Sequence, residues 1–289
     1  MEFYLSALLL GLCLSSVALG IFISMKIFRI PDITTDGSYT LGAVVAAVLL
    51  THHVPLYLSL PLTLLAGGLA GCLTGFIHTK LKIDALLAGI LVMTGLYSVN
   101  LVILGRSNLP LLDVRGVFSY LHVSADDTYN QLIVIVVFIA VVTALIAYTL
   151  RTDFGIAMRA TGNSESMTRA LGINNDSMKI IGLGIANALT ALGGFLVCQY
   201  QNFTDINMGI GIVIVGLGSV LIGDGLIRLF SIQAIWLQLL TVIGGSLVFQ
   251  FVLAFTLAMG VDPNLLKLVT AVFVLLIVGI PALRFGKRS

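Results

Sequence analysis

Charged residues are unusually scarce in this sequence. Asp, Glu, Lys and Arg together make up 10% of its 289 residues, whereas a soluble domain carries roughly 25%. So few charged side chains cannot cover a surface that faces water. The scarcity excludes an ordinary soluble enzyme or binding domain, and it predicts a protein whose outer surface faces lipid.

Cysteine is equally scarce, and the residues that could hold a metal are dispersed. Cys13, Cys72 and Cys198 each stand alone within an apolar run. Disulfides and cysteine metal sites need paired spacings, so we expect neither. His52 and His53 share a short turn, but a metal site needs three or four converging ligands. We therefore expect no metal on this chain.

A nucleotide-binding motif is missing as well. The sequence contains no Gly-x-x-x-x-Gly-Lys-Ser/Thr phosphate loop, since Gly286-Lys287 lacks the earlier glycine. The polar stretches 106–129 and 151–179 are too short to form an enzyme domain. We expect no catalytic residue and no cofactor on this chain, so energy for any active process must come from another chain or from an ion gradient. The net charge of +2 gives no indication of a nucleic-acid partner.

Long uncharged runs are what the sequence has in abundance. A membrane-spanning helix needs roughly 20 apolar residues, and barrel strands would alternate polar and apolar residues instead. The runs therefore predict an all-α, polytopic bundle in one transmembrane domain, 1–289. Splitting the second run near Pro55 gives nine hydrophobic segments: 3–25, 37–81 in two parts, 85–105, 128–150, 180–204, 206–223, 229–261 and 268–283.

The Lys and Arg residues fall mainly on one side when the chain crosses the membrane at each run. Of the 15 residues, only Arg106, Arg115 and Lys267 lie on the opposite side. Loops rich in Lys and Arg stay in the cytoplasm. The sequence thus predicts an N-terminus outside the cell and a C-terminus in the cytoplasm.

Two of the segments look too short or too broken to be plain spanning helices. Residues 37–51 and 206–223 each follow a Thr-Asp pair, Thr35-Asp36 and Thr204-Asp205, with a glycine six residues after the Asp. Interrupted segments at matching places in two halves are typical of inverted repeats around a transport pathway. A chance match in a glycine-rich chain is the alternative.

The loop 151–179 predicts one short exposed helix. Asn163 or Ser164 would cap it, Glu165 would lie in its first turn where the helix dipole favours an acid, and Gly172 would end it. An apolar face on so short a helix suggests either a docking element or a helix that lies on the bilayer. The face consists of Met167, Ala170 and Leu171.

The same loop carries a family resemblance. The pattern Arg-Thr-x-x-Gly-x-x-x-Arg-Ala from Arg151, followed by Gly-x₇-Ala-Leu-Gly-Ile ending at Ile173, is similar to permeases of ribose and branched-chain amino acid type ATP-binding cassette importers. The stretches Pro31-Asp-Ile-Thr-Thr-Asp-Gly-Ser-Tyr-Thr-Leu-Gly-Ala43 and Gly216-Leu-Gly-Ser-Val-Leu-Ile-Gly223 also resemble that family. The resemblance covers nearly the whole chain in the same order.

The resemblance implies a division of labour. Such a permease would lie in the bacterial cytoplasmic membrane, pair with a second copy as a homodimer, and receive a small organic solute such as an amino acid from an extracytoplasmic binding protein. ATP and Mg would bind to a separate cytosolic ATPase subunit. A coupling helix would dock on that ATPase, formed by Gly162, Asn163, Ser164, Glu165, Met167, Arg169, Ala170, Leu171, Gly172 and Ile173.

The transport pathway is harder to locate. All thirteen acids are expected in loops or near segment ends, which disfavours an ion-coupled carrier because such carriers bury ionisable groups in mid-membrane. Asp36 could still be drawn inward by a re-entrant segment. Polar residues within the runs either line the pathway or bond neighbouring helices; the pathway candidates are Asp36, Thr94, Asn100 and Asn187.

Two further interpretations stay open. A channel or an ion-gradient-driven carrier could work without an ATPase, and a membrane scaffold could transport nothing. The outer loop could meet a binding protein through complementary charge or could simply be solvated; its charged residues are Asp113, Arg115, Asp126 and Asp127.

Overall fold

The computed structural model describes residues 2–111, 116–119, 127–262 and 265–285. Within these ranges the chain forms eleven α-helices and one two-stranded antiparallel ribbon. The strands are β1 (Asn108–Pro110) and β2 (Phe203–Asp205). The helices are α1 (Glu2–Ile21, continued as a π-helix over Phe22–Ile27), α2 (Thr34–Thr51), α3 (Leu56–Lys80), α4 (Ala85–Leu104), α5 (Asp127–Thr149), α6 (Asp153–Asn163), α7 (Glu165–Ala170), α8 (Asn175–Gln201), α9 (Ile212–Leu229), α10 (Ile235–Ala258) and α11 (Leu266–Phe285).

The prediction of an all-α polytopic membrane protein is confirmed. Each of the nine hydrophobic segments contains a helix, and seven helices of the described ranges are long and apolar enough to cross a membrane: α1, α3, α4, α5, α8, α9 and α10. Two segments fall short of that standard. α2 begins with the polar sequence Thr-Thr-Asp, and the described apolar part of α11 is only Leu266–Ile277.

Helices α1 and α8 form the centre of the bundle. Both are mostly buried, whereas a third or less of α3, α4 and α5 is buried. Small residues bring α8 close to its neighbours, because lipid provides no hydrophobic drive for helices to associate. A Cβ added to Gly42 of α2 would lie 2.0 Å from the Ala191 carbonyl oxygen, and one added to Gly71 of α3 would lie 2.1 Å from that of Leu183. These are backbone contacts that admit no side chain.

The packing has the pattern expected of two related halves. Helix α8 packs on α3 as α1 packs on α10, and α2 packs on α3 as α9 packs on α10. α2 follows the non-helical residues 28–33, and α9 follows the largely irregular segment 202–211. The proposed inverted repeat is consistent with this arrangement of neighbours.

The loop between α5 and α8 contains more structure than the sequence indicated. One short helix was predicted over residues 162–173, but the chain forms two helices that meet at Ser164. The hydroxyl of Thr152 caps α6 by accepting the Gly155 N–H at 3.4 Å. Gly162 and Asn163 therefore end α6 rather than begin the short helix, and a Cβ on Gly162 would collide with the Ile27 backbone. Burial of Met158 and Thr161 explains why α6 forms.

Candidate functional site

A chain reversal after α1 returns the backbone into the bundle. Arg29 adopts a left-handed φ of 58°, and the Ile30 N–H donates to the Ser24 carbonyl at 2.9 Å. The Phe28 ring then occupies the space beside Gly182 of α8. Residues 28–33 therefore run along α8, and α2 begins well inside the bundle.

A buried carboxylate lies at the end of this returning segment. Asp32 is only 4% exposed; one carboxylate oxygen accepts the Thr34 N–H at 2.9 Å, and the other accepts the Asn187 side-chain N–H at 2.6 Å. Ser38 donates its hydroxyl to the Asn187 Oδ1 at 2.7 Å. Asn187 is the thirteenth residue of the 27-residue α8, so this polar chain crosses the middle of the bundle. Asp32 does lie in a loop, as expected of the acids, but this loop is buried, so the inference that no acid lies inside the bundle was wrong.

A second carboxylate joins the beginnings of two interrupted helices. Asp36, in the first turn of α2, accepts the N–H of Gly211 at 3.1 Å and that of Val213 at 2.8 Å. These groups belong to the beginning of α9, whose free N–H groups and dipole favour a negative charge. Asp36 thus fixes the start of α9 against the start of α2. This contact joins the beginnings of the two interrupted segments that the sequence pattern had paired.

A small pocket lies beside this junction. It has a volume of about 40 Å³ and is lined by α2, α4 and the segment before α9, including Asp36, Thr40, Tyr97 and Asn100. Asn100 donates to the Gly37 carbonyl at 3.3 Å, while its buried Oδ1 has no hydrogen-bond partner among the described residues. A volume of this size admits about one water molecule. This pocket is therefore too small to hold an organic solute.

The four pathway candidates do not all meet. Asp36 and Asn100 line the same pocket, and Asn187 lies deeper, fully buried against Asp32 and Ser38. Thr94 is exposed on the outer face of α4 and donates its hydroxyl to the Ile90 carbonyl of its own helix.

Sequence reasoning missed several members of this polar centre. Asp32, Ser38, Thr40 and Tyr97 were not among the candidates. The available signal was Pro31-Asp32 placed shortly before the uncharged segment 37–51, which is too short to span.

Asp224 had been expected one turn from the cytoplasmic edge, and it lies in an ion-pair cluster. Its carboxylate pairs with Lys26 at the end of the α1 extension and with Arg228 one turn further along α9, the latter at 2.8 Å. Asp84 caps α4 by accepting the Leu86 N–H at 2.9 Å. Asp224 thus ties α9 to the end of the α1 extension, and Asp84 caps the beginning of α4.

The short helix α7 is held rigidly at its base. The Ser164 hydroxyl accepts the Met167 N–H at 3.4 Å, so Ser164 rather than Asn163 is the cap. Glu165 pairs with Lys179 of α8 at 2.6 Å. Asn175 accepts from the Thr168 hydroxyl at 2.8 Å and donates to the Glu165 carbonyl at 2.7 Å. These contacts fix α7 to the first turns of α8.

The opposite face of α7 has no cover within the described protein. Met167 is 64% exposed and Leu171 is 69% exposed, and Arg169 and Ala170 are exposed beside them. Gly172 follows with a φ of 82° and ends the helix. An apolar patch on a well-fixed helix at the edge of a membrane bundle is suited to binding another protein.

The structure describes only part of the charged outer loop. Asp113, Arg115 and Asp126 of the outer loop lie outside the described residues, while Asp127 begins α5. Within the described ranges, no three His, Cys, Asp or Glu side chains come together as metal ligands.

These features define the class of protein. A multi-pass helical bundle with a buried polar centre and an exposed, well-fixed helix at one edge is an integral membrane protein of a kind suited to transport. Residues 3–279 match the family model described as the permease component of branched-chain amino acid transport systems. The chain belongs to this family, and it is therefore a permease component of an ATP-binding cassette import system. Membership of the family implies association with an ATPase and a binding protein.

Several named relatives support the assignment. The chain is 38% identical to the tyrosine transport system permease protein of Clostridioides difficile, over 94% of this chain and 88% of the relative. It is 27% identical to the ribose import permease protein RbsC of Haemophilus influenzae, over 66% and 59% of the two chains. It is 25% identical to the autoinducer 2 import system permease protein LsrC of Escherichia coli, over 76% and 65%. No solved structure matches the chain.

Proposed function

We propose that two copies of this chain form the translocation pathway of an importer powered by a separate cytosolic ATPase, which binds ATP and Mg. An extracytoplasmic binding protein would deliver the solute. The observation that carries the proposal is α7, which the Glu165–Lys179 ion pair fixes to α8 while Met167 and Leu171 remain exposed. A rigid helix with an uncovered apolar face can transmit the movement of an ATPase into the bundle.

The test of the ATPase partner is co-purification from the native membrane. Leu171→Glu places a charge in the apolar face without touching the contacts that hold α7, so we expect loss of a stoichiometric ATPase from the purified complex. Phe230→Glu is the matched control, because Phe230 is also exposed, at the turn between α9 and α10. Retention of the ATPase by the Leu171→Glu variant, or absence of any ATPase from the wild-type complex, would overturn the docking role.

The proposed solute is an amino acid, with tyrosine the first to test. The support is the relative from Clostridioides difficile, which is named a tyrosine transport permease and aligns over 94% of this chain. We expect deletion of the gene to lower uptake of radiolabelled tyrosine, and re-expression to restore it. Excess unlabelled tyrosine should compete with the label, whereas excess ribose should not. Uptake that ribose alone suppresses would contradict an amino-acid substrate.

The ion-coupled carrier left open by the sequence is supported by Asp32 alone, and membership of the importer family stands against it. A carboxylate buried in the middle of a bundle is typical of proton- and sodium-driven transport. Uptake measured in cells separates the two candidates. The importer requires that ATP depletion abolish uptake while an ionophore that leaves ATP intact does not. The reverse sensitivity, together with loss of uptake in Asp32→Asn, would favour the carrier.

A further inference from the structure

An apolar groove runs along the outside of the bundle, far from the polar centre. Its volume is about 690 Å³, and it lies between α5 and α10 with Leu12 of α1 as its floor. The α5 wall repeats small residues at helical spacing, Ala140, Ala144 and Ala147. The α10 wall repeats larger residues, namely Trp236, Leu240 and Ile243. The alanines leave a depression that the facing side chains do not fill.

The length of the groove along α5 is close to the thickness of one leaflet of a bilayer. Its lining on α5 extends from Val136 to Tyr148, a distance of ~18 Å at 1.5 Å per residue, and Arg151 continues it just beyond the helix. Half of the hydrocarbon core is about 15 Å thick. The groove therefore reaches from about the middle of α5 to the end that leads into α6, where Tyr148 and Arg151 lie. Thr143, halfway along, donates its hydroxyl to the Ile139 carbonyl of its own helix.

The polar end has the side chains that recognise a lipid headgroup. Arg151 is exposed, and its guanidinium has no ion-pair or hydrogen-bond partner among the described residues. Tyr148 and Trp236 lie at the same end of the groove and are partly exposed; amphipathic rings of this kind concentrate at headgroup level. Asp153 is nearby in sequence, but it does not line the groove. The mouth of the groove is thus lined by two aromatic rings and by one positive charge that is unpaired among the described residues.

We propose that this groove binds an anionic phospholipid of the leaflet on the α6–α7 side. One acyl chain lies between α5 and α10, and the phosphate pairs with Arg151. The apolar walls accept an acyl chain of any lipid, so the preference for a net negative headgroup comes from Arg151. The site lies against α5, which leads directly into α6, so the lipid would stiffen the connection to α7.

A second copy of the chain fits this groove less well. A twofold interface uses the same surface on both partners, and two concave surfaces placed face to face enclose a void. The same symmetry would bring the two Arg151 side chains together at equal depth, without an acid between them. The enclosed void and the repulsion between the two Arg151 charges both disfavour a dimer centred on the groove.

The chain contains a single tryptophan, Trp236, and it lines the groove, which allows a direct test. The full-length protein is reconstituted in phosphatidylcholine vesicles that contain phosphatidylglycerol or extra phosphatidylcholine brominated on the acyl chain near the headgroup. Bromine quenches tryptophan fluorescence on contact. We expect brominated phosphatidylglycerol to quench at a roughly fivefold lower mole fraction than brominated phosphatidylcholine, which is the effect of one Arg near an anionic surface.

Three variants decide between specific binding and general contact with lipid. Arg151→Gln should abolish the preference, whereas Arg159→Gln, which removes an exposed guanidinium outside the groove on α6, should keep it. Ala144→Phe should fill the groove and reduce quenching by both lipids. Equal quenching by the two lipids in the wild type, or a preference that survives Arg151→Gln, would overturn the proposal. Little quenching by either lipid would also overturn it, because protein would then cover the groove.

Discussion

At the scale of single residues, the hydrogen bonds that join Asp32, Asn187 and Ser38 offset the cost of burying a carboxylate in the bundle. A carboxylate away from water is costly unless its oxygens have partners. Asp32 obtains two, one from the backbone of Thr34 and one from Asn187. Asn187 uses its other atom, Oδ1, to accept from Ser38. The Asn187 amide thus provides a hydrogen-bond partner for both Asp32 and Ser38. Removing it leaves these two buried groups each without that partner.

The first prediction concerns that amide. Asn187→Ala should lower the free energy of unfolding by about 2–3 kcal/mol, because an Asp32 oxygen and the Ser38 hydroxyl both lose a buried partner. Thr94→Ala is the control, since Thr94 is exposed and bonds only within its own helix; its effect should stay within about 0.5 kcal/mol. Denaturant titration of both purified proteins in detergent measures the difference. Equal stability of the two variants would show that Asp32 has other partners.

At the scale of elements, close contact between α2 and α8 depends on glycine. Gly42 of α2 faces the backbone at Ala191, and Gly194 of α8 faces the Tyr39 carbonyl of α2 at a virtual Cβ distance of 2.0 Å. The two helices therefore approach each other at two levels where a glycine of one helix lies against the backbone of the other and leaves no room for a side chain at the glycine. This approach is what keeps the short α2 in place inside the bundle.

The second prediction tests that approach. Gly42→Ala should separate α2 from α8 and cost about 2–3 kcal/mol, the range of strongly overpacked cores. Gly95→Ala introduces the same methyl group into α4, where nothing lies within 4 Å, and should be neutral or stabilising by up to about 1 kcal/mol. The yield of monodisperse protein and its melting temperature report on both changes. A tolerated Gly42→Ala variant would contradict the close packing.

Element positions were predictable from the sequence to different degrees. Spanning helices such as α4 and α5 coincide with their uncharged runs, because a lipid environment itself demands some 20 apolar residues. α7 was predictable from its cap and first-turn acid. α6 was missed, because its formation depends on burying Met158 and Thr161 against the bundle. The depth of Asp32 was missed for a similar reason: only the packing of residues 28–33 along α8 places it in the middle.

At the scale of the whole molecule, sidedness connects the bundle to its proposed partner. The turn at His52 and helix α7 are separated by three helices long and apolar enough to cross the membrane, α3, α4 and α5. If each of them crosses once, the two sites lie on opposite sides of the membrane, whichever way the chain is inserted. The excess of Lys and Arg around α7 then predicts which side is the cytoplasm.

The last prediction measures this sidedness by labelling with a membrane-impermeant maleimide. The background should be low, because Cys13 and Cys198 are fully buried and Cys72 is partly covered within α3; unsubstituted protein sets the baseline. His52→Cys should react in intact cells, and Ser166→Cys, in the exposed part of α7, should react only after the membrane is opened. Labelling of Ser166→Cys from outside would put α7 beyond the reach of a cytosolic ATPase. That result would contradict both the orientation and the coupling mechanism proposed for this permease.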